Sequence, residues 1–289
     1  MSRESQLHPA ERFAAPGSIQ RGQPLKDLMS PRLIQLIGES LAGAAPRFDA
    51  ARFRREAAAG LDELELKERA AWIASAMAAQ LPARFSDAAS ILIRSFGPEL
   101  TATQDNGLAT FFYLPHSQFV AARGVECFDS GMRVNYELTK RFTAEFSIRP
   151  LIAAQTEKSL ELLAAWTSDA NPHVRRLVSE GTRPRLPWAM RLAAFQSCPE
   201  LTLPLLERLK DDPELYVRRS VANHLADVLK DHPEFAYAVC DRWLDEVDSP
   251  QHDRQQAAAR RWIVRHAVRL PAKKEERRAL RLRGRAKDC

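Results

Sequence analysis

The chain has 289 residues, 45% hydrophobic and 28% charged, which is enough for a sizeable core in one large or two modest domains. Its longest largely apolar run, Ala70 to Ala79, is too short to cross a bilayer, and the charged N-terminus (Arg3, Glu4, Glu11, Arg12) has no apolar region of a secretory signal. Of the net charge of +6, five units fall in residues 273–288, where eight Lys/Arg face three acids, so the body is nearly neutral and any polyanion site on it must come from local arrangement. Cys127, Cys198, Cys240 and Cys289 show no CxxC spacing, which reads as reduced thiols in a cytoplasmic protein.

Residues 1–28 have no periodicity and contain Pro9, Pro16, Pro24, Gly17 and Gly22, an irregular lead-in. Ser30-Pro31 is a helix start, N-cap then proline at the first position, with Leu33, Ile34, Ile37 and Leu41 at helical spacing. A helical region over 48–81 breaks near Gly60, has Leu64, Trp72, Ile73 and Met77 as core candidates, and is closed by Pro82. Ser86 to Phe96 is amphipathic and stopped by Gly97-Pro98; 99–107 is turn-rich; Phe111 to Leu114 surround Pro115, and Gly124 ends that element. From Ser130 to Ile148 the residues Val134, Leu138, Phe142 and Phe146 fall on one stripe of a helix that Pro150 ends.

The segment 171–227 then carries two copies of one unit. Leu162-Leu163 lead to Asn171-Pro172-His173-Val174-Arg175-Arg176, and Leu205-Leu206 lead to Asp212-Pro213-Glu214-Leu215-Tyr216-Val217-Arg218-Arg219. Val-Arg-Arg recurs after about 43 residues, the spacing of a HEAT-type helix pair. Each copy is a short helix, a polar turn and a second helix beginning near the proline, with Asp212 a fitting N-cap in the second. One such pair cannot bury its own apolar stripe, so neighbours must stack on it. Pro233 to Glu246 and Asp253 to Leu270 form a further, degenerate pair, and a basic tail follows Pro271. With no sustained period-2 alternation, the expected fold is all-α, an α-solenoid of HEAT-like helical repeats over 29–270 with a concave DNA-binding surface. The tail, 271–289, is expected to be disordered, to attract nucleic acid non-specifically, or both.

No Gly-rich phosphate loop, HExxH, Gly-x-Ser-x-Gly or metal-spaced His/Cys cluster appears, and no metal or cofactor is expected. Glu145 lies about 100° from Phe146 on its helix, at the border of the buried stripe; its ordinary role is a surface ion pair with Arg141 or Arg149. Asp227 borders the stripe of Val217, Val221, Leu225 and Val228, with Lys230 three residues on, again an ordinary helix-edge pair. Trp188 follows Pro184-Arg185-Leu186-Pro187, and a core tryptophan is its usual explanation.

Three runs change that weighting. Arg141-Phe142-Thr143-Ala144-Glu145-Phe146-Ser147-Ile148-Arg149-Pro150, the run from His173 through Ser179-Glu180-Gly181-Thr182-Arg183-Pro184-Arg185-Leu186-Pro187 to Trp188, and the run from Tyr216 through Asn223-His224-Leu225-Ala226 to Asp227 resemble the DNA alkylation repair family of HEAT-like DNA glycosylases, closest to its AlkC branch. The resemblance extends from about Ser30 to about Leu270 and departs at Ala226 and Leu229, where relatives often carry polar residues. Some relatives also append an immunoglobulin-like domain where this sequence has its basic run. Such enzymes excise cationic N-alkylated bases, 3-methyladenine foremost, from duplex DNA without flipping the base into a deep pocket. The resemblance implies that Glu145, Trp188 and Asp227 are the catalytic Glu, aromatic and Asp, and that Arg149, Arg183, Arg185 and Lys230 contact DNA. It implies a monomer that needs no membrane, cytoplasmic and at the nucleoid when bound to DNA. The alternative is a non-catalytic HEAT scaffold binding DNA or protein, the commoner use of the architecture.

Overall fold

The computed structural model describes residues 6–248 and 253–287. Among these residues there is no strand, and no helix is long and apolar enough to cross a membrane. The chain divides into two compact units, Met1–Ala154 and Gln155–Cys289.

The first unit holds α1 (Pro31–Ala44), α2 (Ala50–Ala58), α3 (Leu66–Ala78), α4 (Phe85–Arg94), α5 (Leu114–Arg123), α6 (Phe128–Thr139) and α7 (Arg149–Ala154). The Ser30 hydroxyl accepts from the Leu33 N–H and Pro31 opens α1. Asp49 caps α2 through the amides of Ala51 and Arg52, and Gly60, at φ +78°, lies in the break before α3. Helices pair as α1 with α2, α3 with α5 and α4 with α6 around Phe53, Phe85, Phe112 and Phe119. Trp72, a core candidate by spacing, is instead 45% exposed, while Ile73 and Met77 on the same helix are fully buried.

The helix expected through 148 ends at Thr139. The Ser147 hydroxyl donates 2.6 Å to the buried Asn135 side chain, and Arg141 donates to the Gly97 carbonyl and to Glu137. These bonds turn residues 140–148 back on α6, so Glu145 stands on a turn. Pro150 does not end a helix; it lies in the first turn of α7, where its missing N–H costs nothing. Gly131 permits the fit, because a Cβ there would lie 2.7 Å from the Gly124 carbonyl oxygen.

The second unit holds α8 (Thr156–Trp166), α9 (Pro172–Gly181), α10 (Ala193–Ser197), α11 (Leu203–Leu209), α12 (Leu215–Asp231), α13 (Pro233–Val247), α14 (Arg254–Ala267), α15 (Arg269–Lys273) and α16 (Arg277–Arg285). The two sequence copies are α8/α9 and α11/α12. Asn171 caps α9 on the His173 amide, with Pro172 next, as its sequence indicates. Asp212 does not cap α12, which starts at Leu215. Its carboxylate is taken by Arg175, Nε 2.6 Å from Oδ2, and it accepts from the Glu214 N–H instead. The repeated arginines do repeated work. Arg175 binds the carbonyls of Asp169 and Ala170, and Arg218 those of Asp212 and Pro213, each closing the turn before its own helix.

The tail is not disordered over its described length. Pro271 sits inside α15, and α16 buries Ala279 and Leu282, with Ala286 beyond its end. Its arginines meet acids of α13 and the residue after it: Arg278 with Glu234, Arg281 with Asp241, Arg285 with Asp245 and Asp248. The acids that neutralise this run lie some 40 residues upstream, so a local charge count treats its arginines as free.

Candidate functional site

Asp227 projects from the fourth turn of α12 and is 2% exposed, although it is a carboxylate. Burying a charge is unfavourable unless it is paired and hydrogen-bonded, and here both oxygens are. Arg183 donates its Nε to Oδ2 at 2.8 Å, and Lys230, one turn along the same helix, donates to Oδ1 at 2.9 Å. Arg183 is itself nearly buried, and its Nη1 donates 2.6 Å to Glu180 Oε1 on α9. One guanidinium thus bridges a carboxylate of α9 and a carboxylate of α12.

Glu180 is held from behind. The Ser220 hydroxyl donates to its Oε2 at 2.6 Å, and Ser179 donates to Ser220. Burial opposes the Glu180 charge, but Arg176 and Arg183 beside it and the Ser220 bond hold its carboxyl below the usual carboxylate range. The fully buried His224, 3.0 Å from the Ser179 carbonyl and 3.1 Å from the Thr202 hydroxyl, is driven down to about 4 by desolvation. One turn beyond Asp227, Arg185 grips Asp231 with two bonds of 2.5 and 2.6 Å and pulls its carboxyl down to about 2.

Trp188 lies on the same 182–192 connection as Arg183 and Arg185. It is not a core residue: it is 86% exposed and sits at φ +59° in a turn closed by the Ala189 N–H on the Leu186 carbonyl. A large aromatic residue that is mostly exposed in the left-handed region is uncommon, and such outliers cluster at binding sites. Met190 beside it is also exposed, at 47%.

The structure therefore brings Asp227, Arg183 and Lys230 into direct contact, with Arg185 and Trp188 on the loop that carries Arg183. Glu145 and Arg149 belong to the first unit. Glu145 is buried on the 140–148 turn, and the Arg141 expected to pair with it binds Glu137 instead. Arg149 is fully buried at the start of α7 and presents no guanidinium at the surface. Glu180 and Ser220 were not singled out from the sequence. The available signal was the i, i+3 spacing of Glu180 and Arg183 inside a run already quoted for its family likeness.

An all-helical chain in which successive helix pairs are joined by buried ion pairs, with an exposed tryptophan beside them, defines a helical-repeat protein. No family model matches the sequence. The chain is 34% identical over 264 residues to the YhaZ protein of Bacillus subtilis (strain 168), covering 90% of this chain and 68% of that one. It is 35% identical to the alkylpurine DNA glycosylase AlkC of Pseudomonas fluorescens, solved bound to DNA containing an abasic-site analogue, with a TM-score of 0.76 over 90% of this chain and 68% of that one. The chain belongs to the AlkC branch of the DNA alkylation repair family.

Proposed function

We propose that this protein is a DNA glycosylase that hydrolyses the N-glycosidic bond of cationic alkylated bases, 3-methyladenine foremost, in duplex DNA. The observation that carries the reading is its likeness, over nine-tenths of its length, to an alkylpurine glycosylase solved on DNA. The chemistry follows from the substrate. An N-alkylated purine already carries positive charge, so its glycosidic bond is weak and its leaving group needs no protonation. The barrier lies in a sugar that becomes oxocarbenium-like. A fixed carboxylate is the group that stabilises such a cation, and one carboxylate must also position or deprotonate the attacking water. Asp227, oriented by Arg183, and Glu145, fixed on its turn, are assigned those roles. Trp188 offers a π face to the cationic nucleotide, worth about 0.5–2 kcal/mol.

Extrusion into a deep pocket is how many base-modifying enzymes reach their target. A damaged nucleotide with an intrinsically labile bond does not require it, so neutral adducts should be poor substrates. Arg183 and Arg185 are held by Asp227 and Asp231, so they would meet phosphate only by sharing or exchanging those partners; Lys230, half exposed, is the readier DNA contact. The protein would act as a monomer, in the cytoplasm and at the nucleoid. A non-catalytic scaffold is the second reading, favoured by the fact that both Asp227 oxygens are already occupied. Release of free base from methylated duplex DNA by the purified protein separates the two. Tight DNA binding with no release above the uncatalysed rate would leave the scaffold.

A further inference from the structure

A groove of about 340 Å³ opens beside Asp227, between α12, α13 and the α14–α15 corner. Its floor is apolar: Ala226 and Leu229 from α12, Tyr237 from α13, and Leu270, which is 49% exposed. Its rim is cationic, with Lys230 on one side and Lys273 and Lys274 on the other. Glu276, the only carboxylate among the lining residues, is engaged by the Tyr237 hydroxyl at 2.9 Å. Lys273 and Lys274 are exposed and enter no ion pair among the described residues, unlike Arg278, Arg281 and Arg285 further along. Lys230 belongs to both places, since its stem lines the groove while its ammonium donates to Asp227.

We propose that this groove seats the DNA strand next to the damaged nucleotide, with phosphates on Lys230, Lys273 and Lys274 and a deoxyribose against Leu229 and Leu270. The inference rests on the glycosylase reading of Asp227 and adds to it the path of the backbone. Two features select this occupant. The groove is lined by Ala226, next to the carboxylate assigned to the sugar, and by Lys230, bonded to it, so a strand reacting there has its neighbouring phosphates within reach. The pairing of an apolar floor with ammonium groups matches a polymer that alternates apolar sugar with anionic phosphate.

The test measures binding of a duplex containing an abasic-site analogue, across a salt series, by fluorescence anisotropy. Lys273→Glu with Lys274→Glu should weaken binding about tenfold or more near physiological salt and lower the slope of log K against log salt by about two, since each phosphate contact contributes about 0.9. Lys273→Arg with Lys274→Arg should bind as wild type, and Leu270→Ser should weaken binding with the slope unchanged. Arg283→Glu with Lys287→Glu, an equal charge change outside the groove, should shift affinity less than twofold. An equal loss from that control pair, or wild-type affinity in the groove pair, overturns the proposal. So does a wild-type complex that polyglutamate displaces as readily as unlabelled duplex does, which would mark a general anion surface. Thermal melts accompany each variant, and Lys273→Gln with Lys274→Gln replaces the charge reversal if that protein unfolds. Wild type that binds through the groove but releases no base sinks the glycosylase reading alone; wild type that releases base while the groove pair binds normally sinks the groove alone.

Discussion

Asp227 offers each oxygen to a different cation, so exchanging it for asparagine has two separable effects. Asp227→Asn keeps the shape but leaves Arg183 with Glu180 as its remaining carboxylate, a loss of about 1–3 kcal/mol in stability, the range for hydrogen bonds to charged groups. Its effect on chemistry should be larger. With Asp227→Asn and Glu145→Gln, single-turnover release of 3-methyladenine should fall on the order of 10²–10³-fold each, the usual size of one lost electrostatic contact at a transition state. Wild-type rates in both folded variants would return the two carboxylates to ordinary ion pairing. Trp188 admits a sharper separation of stability from function. At φ +59° glycine is less strained than any larger residue, so Trp188→Gly should melt no lower than wild type, within about 1 kcal/mol, while binding and releasing damaged bases less well. A large fall in melting temperature without loss of activity would show that Trp188 is there for packing. The pairing of Asp227 with Lys230 was legible in the sequence, because the two stand three residues apart on one helix. The exposure of Trp188 was not, since a proline-flanked tryptophan at a helix approach reads as core. Glu180 was hidden for another reason: its meaning comes from Ser220, 40 residues away.

At the scale of elements, apolar periodicity located most helices and failed where side chains overrule it. Val134, Leu138, Phe142 and Phe146 continue one stripe, yet α6 stops at Thr139 because Ser147 reaches back to Asn135 and Arg141 is drawn to Gly97. Short polar side chains that bond near their own backbone, as Ser147 also does on the Ala144 carbonyl, offer the chain an alternative to helix, and periodicity does not see it. The tail failed in the opposite direction. Ala279, Leu282 and Ala286 are too few to stand out among eight basic residues, but they are fully buried. Removing the chain after Pro271 should therefore do more than weaken DNA binding. It should strip cover from the α13 and α14 faces and leave Asp241 and Asp245 without arginine partners and Asp248 with Arg261 alone, lowering the melting temperature of the protein. Leu282→Asp should do the same at full length, by roughly 2–5 kcal/mol, as expected for losing a buried leucine. A truncated protein with wild-type thermal stability would mean that α16 adds charge alone.

For the whole molecule, acid should act through histidines before it acts through carboxylates. Burial holds His116 at about 3 and both His224 and His266 at about 4, against an ordinary value of 6.5. Below 6.5 the unfolded chain takes up protons that the folded chain refuses, so stability is full above that pH and declines as pH falls toward 4. The Asp231 pair, whose carboxyl lies near 2 against an ordinary 3.8, is lost only below that window. Melting temperature should fall steadily from pH 7 to pH 4.5, with a shallower fall in His224→Gln; a flat profile across this range would contradict the assignment. The all-α class and the doubled Val-Arg-Arg unit were legible from end to end, because the unit repeats its turn chemistry as well as its apolar stripe. The bonds from α9 and the loop after it to α12 and the turn before it follow the same repeat: Arg175 to Asp212, Ser179 to Ser220, Arg183 to Asp227 and Arg185 to Asp231 join residues 37, 41, 44 and 46 apart. In an unfolded chain each would close a loop of nearly the same length, and closure entropy changes only slowly with length. The first to form therefore bears the cost of loop closure for all of them. The rest close as a zipper along two helices already aligned, so the bond that orients Asp227 comes with the folding of the repeat and needs no separate ordering event.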